Sequence, residues 1–90
     1  MSETVQLSEP LVVEGQEIQS LTMRRPKVRD QILAEKSEGT AAEQEVAMFA
    51  NLCEVPEAAI QDLDLGDYFQ LQEAYQGFFD SQQTPAEGSA

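Results

Sequence analysis

Residues 5–23 read VQLSEPLVVEGQEIQSLTM, and the alternation within this stretch sets the first part of the fold. Val5, Leu7, Leu11 and Val13 share one parity, interrupted at Glu9, with Ser8 and Pro10 on the other. A period of two predicts a strand with one packed face, and an edge strand tolerates proline because no ladder partner needs its missing N–H. Glu14-Gly15 follows as a two-residue turn in which glycine accepts positive φ, and Glu17 to Met23, with Ile18, Leu21 and Met23, reads as the returning strand. The step from Ile18 to Leu21 breaks the period, so a bulge is expected near Gln19-Ser20 to bring Leu21 back to the packed face.

Beyond this β-hairpin the period becomes helical. Pro26 suits the first turn of a helix, where its missing N–H would lack an intrahelical partner anyway, and Val28 and Ile32 lie four apart with Leu33 beside them. A first helix is predicted over 26–37, ended by Gly39 in a left-handed conformation. Thr40-Ala41-Ala42-Glu43 matches a capping box that opens a second helix over 41–53. Ala42, Val46, Phe49, Ala50 and Cys53 form its buried face, and Met48 and Leu52 lie roughly 100° away, an apolar surface wider than one neighbour covers. Val55-Pro56-Glu57 enters a short helical turn through Gln61, and Asp64 with Asp67 caps a third long helix over 65–79. Tyr68, Leu71, Tyr75, Phe78 and Phe79 share one face of that helix. With five of the six aromatics between 68 and 79, it is expected to supply most of the core. Residues 81–90, SQQTPAEGSA, hold no large apolar side chain and are expected to form a disordered tail. The fold class is α+β, mainly helical, with one domain over 1–80 made of a hairpin (5–23) and a helical part (26–79).

Composition narrows the function. A chain of 90 residues, 41% apolar, makes one domain with a modest core and little room for a deep active site. Seventeen acidic side chains against five basic give a net charge of -12, which repels phosphate backbones and anionic headgroups, so neither nucleic acid nor membrane is an expected partner. Histidine is absent and Cys53 is the single cysteine, which removes the usual imidazole base, a Cys/His zinc set and an intramolecular disulfide, and fits a reducing cytoplasm. The N-terminus lacks the basic and apolar regions of an export signal, and no apolar run approaches the ~20 residues of a membrane span. Asp62 to Asp67, with Glu73 eleven residues after Asp62, has the spacing of a calcium loop, but Asp67 stands where that loop needs glycine, so these acids read as helix caps. Cys53, on an apolar helix face with no histidine to activate it, reads as a structural thiol. No catalytic residue, cofactor or metal site is expected.

Contacts with other chains are the remaining possibility. All five basic residues, Arg24, Arg25, Lys27, Arg29 and Lys36, fall between positions 24 and 36. Either neighbouring acids neutralise this segment within the monomer, or it meets an acidic face of another copy in a salt-sensitive contact. Phe69 lies roughly 100° from the Tyr68/Tyr75/Phe78 stripe. It is either buried under the hairpin or exposed beside Leu65 as a contact. Met48, Leu52, Leu65 and Phe69 are the candidates for touching a client or another copy, with Arg24, Arg25 and Arg29 for polar register.

Leu7-Ser8-Glu9-Pro10, Gly15, Leu21, Arg25-Pro26 with Val28-Arg29-Asp30, Asn51-Leu52, Pro56, Asp67-Tyr68 and Leu71-Gln72, in this order and spacing, resemble the small tail assembly chaperones of contractile-tailed phages such as Mu-like prophages. The resemblance covers residues 5 to 79 and implies a non-catalytic protein encoded just upstream of the tape measure protein. Such a protein coats that long helical client in the host cytoplasm, keeps it soluble and is absent from the finished particle. Homo-oligomers are expected, and in many such systems frameshifting adds a longer form of the same chain. The alternatives are a structural tail component retained in the virion and a small acidic regulatory protein.

Overall fold

In the computed structural model, which describes residues 2–89 and their side chains as far as Asp80, the N-terminal segment is a two-stranded antiparallel sheet of β1 (Ser2–Val13) and β2 (Gln16–Arg24). Glu14 and Gly15 at its turn have φ of 53° and 82°. Positive φ at both central residues is what a two-residue hairpin turn needs to match the twist of its strands. Val5 pairs with Leu21 and Leu11 with Ile18, which sets the packed residues of the two strands opposite one another.

The irregularity lies at the expected level of the ladder but on the other strand. Gln6 pairs with Ser20 and Leu11 with Ile18, so Leu7 to Pro10 on β1 oppose Gln19 alone. The expected bulge near Gln19-Ser20 is therefore an excursion of β1. Pro10 explains the choice, since a residue with no N–H weakens the ladder of the strand that carries it.

Four helices follow: α1 (Val28–Lys36), α2 (Ala41–Cys53), α3 (Glu57–Gln61) and α4 (Leu65–Ser89). α1 starts two residues later than predicted, with Lys27 rather than a residue before Pro26 at its N-cap, because the Asp30 carboxylate accepts the Lys27 N–H at 2.8 Å. It ends at Ser37, in an extended conformation. Gly39, at φ 119°, serves α2 instead: a Cβ there would collide with the Glu43 carboxylate, which accepts the Thr40 N–H at 2.8 Å while Thr40 Oγ1 accepts the Glu43 N–H at 3.2 Å. That is the capping box read from the sequence. The expected disordered tail over 81–90 lies outside the residues whose side chains are described.

The core is centred on α2 rather than on the last helix. α2 buries Met48, Phe49, Ala50, Leu52 and Cys53, whereas the buried apolar residues of α4 among those described are Leu71 and Phe78. The aromatic-rich helix contributes its rings from the side. Phe49, wholly buried, has its ring 5.6 Å from that of Tyr68 and 5.5 Å from that of Tyr75, and Tyr75 meets Phe79 edge-on at 4.9 Å. Phe79 itself is only partly buried. α2 takes the centre because the hairpin, α1, α3 and these rings surround it.

Candidate functional site

What α1 presents to solvent follows from one buried carboxylate. Asp30 is 3% exposed and fully satisfied. Arg24 Nη1 donates to Oδ2 at 2.8 Å and Nη2 to Oδ1 at 2.9 Å, Asn51 Nδ2 donates to Oδ1 at 2.9 Å, and the Lys27 N–H completes the set. The Arg24 hydrogen bonds hold the Asp30 carboxyl well below the usual carboxylate range against the opposing effect of burial, and Asp30 raises Arg24 in return. At about 100° per residue, turning Asp30 and Ala34 inward sends Val28 and Ile32 outward. They are 77% and 50% exposed, and Leu33 is exposed beside them. The apolar set that reads as the packed face of the first helix is thus its outer face.

A second network ties the β1 excursion to α4. Leu7 to Pro10 leave the ladder, so the Ser8 N–H turns to the Asp67 carboxylate instead, at 3.1 and 3.0 Å, and Ser8 Oγ donates to Oδ2 at 3.0 Å. Between α2 and α4, Glu45 Oε1 accepts hydrogen bonds from the Tyr68 hydroxyl and, at 2.9 Å, from Gln72 Nε2. Burial, with Glu45 adding to it, keeps the Tyr68 hydroxyl protonated far above its ordinary range. Burial pushes the Cys53 thiol up to about 11, so Cys53 is an inert packing residue rather than a nucleophile.

The seven contact candidates divide. Met48 and Leu52 are core, which corrects their assignment to a contact surface: the wide apolar surface of α2 is covered because α1 and β2 pack on it as well as α4. Arg24 is held by Asp30, and the Arg25 guanidinium sits 5.7 Å from the Phe78 ring centroid. Arg29 is exposed on α1, where Arg24, Arg25, Lys27 and Arg29 rim one basic depression beside Ser2. Leu65 and Phe69 are exposed on α4, at 64% and 50%. Phe69 borders a shallow depression with Gln72, Glu73, Gln76 and Asp80. Sequence reading missed Val28, Ile32 and Leu33 as surface residues. The available signal was Asp30, a carboxylate four residues before Ala34 on the side opposite Ile32, with Arg24 near enough to pair with it.

Among the described residues no group of acids or cysteine is arranged to hold a metal ion, and no helix is long and apolar enough to cross a membrane. The motif residues that carry the family resemblance meet in space as fasteners: Ser8 on Asp67 and Asn51 on Asp30. No curated protein and no solved structure matches the chain. A family model described as phage tail assembly chaperone proteins, E, or 41 or 14, matches residues 4–80, the span that includes the hairpin from Thr4 onward, the Asp30 and Asp67 networks and the exposed residues of α1 and α4. The chain therefore belongs to the phage tail assembly chaperone family.

Proposed function

We propose that this chaperone binds and solubilises the tape measure protein in the host cytoplasm during tail morphogenesis, and that its copies self-associate. The observation that carries the reading is the exposed pair Leu65 and Phe69 on α4, an apolar strip on a domain whose net charge is -12. Apolar side chains on a helix take up the apolar face of a client helix, and surrounding carboxylates keep the resulting complex soluble. Binding the client's exposed state lowers its tendency to aggregate by mass action, without chemistry. Arg29 gives polar register at the α1 side.

Co-expression tests the proposal. The tape measure protein is expected in the soluble fraction and to copurify with the chain when both are made together, and to be insoluble when made alone. Equal solubility with and without the chain, and no copurification, would overturn the reading.

A further inference from the structure

Where α1, α2 and α4 meet, the surface holds a groove of about 220 Å³. Its floor is apolar and buried, made by Ala34, Met48 and Phe49, and the half-buried Tyr75 ring forms a wall. Its rim is rich in hydrogen-bond acceptors. Glu45 Oε1 already takes the hydrogen bonds of Tyr68 and Gln72, which fix the carboxylate and leave Oε2 unengaged among the described residues. On the α1 side, Glu35 Oε2 accepts from Gln31 Nε2 at 3.2 Å, and on α2 Gln44 Nε2 donates to the Ser37 carbonyl at 2.9 Å. Each of these two amides is turned by a partner that only accepts, and each keeps its own carbonyl oxygen as a further acceptor. No basic side chain lines the groove, and neither Glu35 nor Glu45 forms an ion pair among the described residues.

Volume and charge restrict the occupant. The groove lies below the ~300–1,000 Å³ of sites for drug-sized ligands, so it suits one long side chain. Two carboxylates without a cation repel an acidic occupant, and an apolar one offers their lone pairs nothing. A long basic side chain satisfies both parts of the groove, because its methylenes cover the apolar floor while its charged head reaches the rim. Arginine fits better than lysine: its planar fork of N–H donors engages more than one acceptor at once, and a guanidinium packs well against an aromatic ring. The net charge of -12 draws a cationic segment toward the chain in the first place.

We propose that the groove between α1, α2 and α4 is a pocket for a single arginine side chain presented by the client, with Glu35 and Glu45 pairing with the guanidinium and the Tyr75 ring packing against it. This deepens the client reading above and rests on it for the source of the arginine. Leu65 and Phe69 do not line the pocket, so it is a second, chemically different point of contact.

NMR of the full chain titrated with acetyl-arginine methylamide tests the pocket without the client. Shifts are expected to cluster at Gln31, Gln44 and Tyr75, and the uncharged isostere acetyl-citrulline methylamide is expected to bind roughly fivefold or more weakly. Glu35→Gln, at an exposed position, is expected to weaken arginine binding by about threefold. Shifts spread evenly over the acidic surface, or citrulline binding as well as arginine, would overturn the pocket, and both outcomes are read on the wild-type chain whatever the variant's stability. Coexpression then tests the source of the arginine: Glu35→Gln is expected to lower recovery of soluble client by about threefold. Undiminished recovery beside weakened arginine binding would overturn the client's arginine as the occupant. A wild-type chain that recovers the client but binds no arginine would overturn the pocket and leave the client reading standing, whereas one that binds arginine but recovers no client would overturn that reading and, with it, the source assigned here.

Discussion

α1 and α2 carry apolar residues at the same four-residue spacing and use them in opposite ways. In α2, Met48 and Leu52, and Phe49 and Cys53, are buried pairs. In α1, Val28 and Ile32 point to solvent, while a carboxylate and an alanine face inward. The difference lies in the neighbours. α2 has the hairpin, α1, α3 and the α4 rings around it, so Met48, Phe49, Ala50, Leu52 and Cys53 all find cover, while Ala42, expected on the same face, lies exposed in its first turn. α1 packs on α2, and its orientation is set by a hydrogen-bonded ion group rather than by apolar burial. Periodicity says which residues share a face, and only the partners say which way that face turns.

The largest expected effect separates these two helices directly. Phe49→Ala removes a wholly buried ring and is expected to cost about 3–5 kcal/mol in urea denaturation. Ile32→Ala, at an outward position, is expected to change stability by no more than about 0.5 kcal/mol. Comparable losses in the two variants would mean that α1 packs through its apolar face after all.

Removing the charge that orients α1 should come next. Asp30→Asn leaves Arg24 without its carboxylate and is expected to cost about 2 kcal/mol at neutral pH, a value held down because Arg24 is 37% exposed and screened by water. Asp30 has a folded pKa below its ordinary 3.8, so its contribution is complete above that value and is lost as pH falls through the folded one. The stability gap between wild type and Asp30→Asn should therefore narrow below about pH 3.8, and a gap that stayed constant down to about pH 2 would show that its charge is not what matters.

A smaller effect is expected at the β1 excursion. Asp67→Asn weakens the acceptor for both the Ser8 N–H and its hydroxyl and is expected to cost about 1 kcal/mol. Amide exchange at Ser8 should accelerate more than at Val5, which pairs with Leu21 in the regular part of the ladder. Equal acceleration at both positions would indicate general destabilisation rather than loss of a local clasp. Cys53 gives the least perturbing comparison. With its thiol buried and pushed up to about 11, labelling by a thiol reagent at neutral pH should be slow in the native protein and fast in urea.

Much of this was legible in the sequence. Alternation gave the hairpin, Thr40 with Glu43 gave the start of α2, and the third long helix was recognisable from its aromatic spacing. The β1 excursion was misplaced because the broken period on β2 marks the level of an irregularity and not the strand that holds the extra residues. Met48 and Leu52 looked like surplus surface because a width of apolar face is measurable in sequence, whereas the number of neighbours that cover it is a tertiary fact. The exposed strip of α1 was hidden for the converse reason. A buried aspartate is uncommon, and only the convergence of Arg24, Asn51 and the Lys27 N–H makes it favourable. Leu65 and Phe69 could be singled out because their helical angle already separated them from the core stripe.

The central proposal is that the exposed α4 strip holds the client while Leu71 and Phe78, on the inward side of the same helix, pack into the core. Coexpression of the tape measure protein with a Leu65→Ser/Phe69→Ser chain, with the melting temperature of the purified variant measured alongside, tests it most directly. The account predicts a melting temperature within a few degrees of wild type and at least a tenfold drop in soluble, copurifying client. Undiminished recovery of the client by a well-folded variant would contradict it.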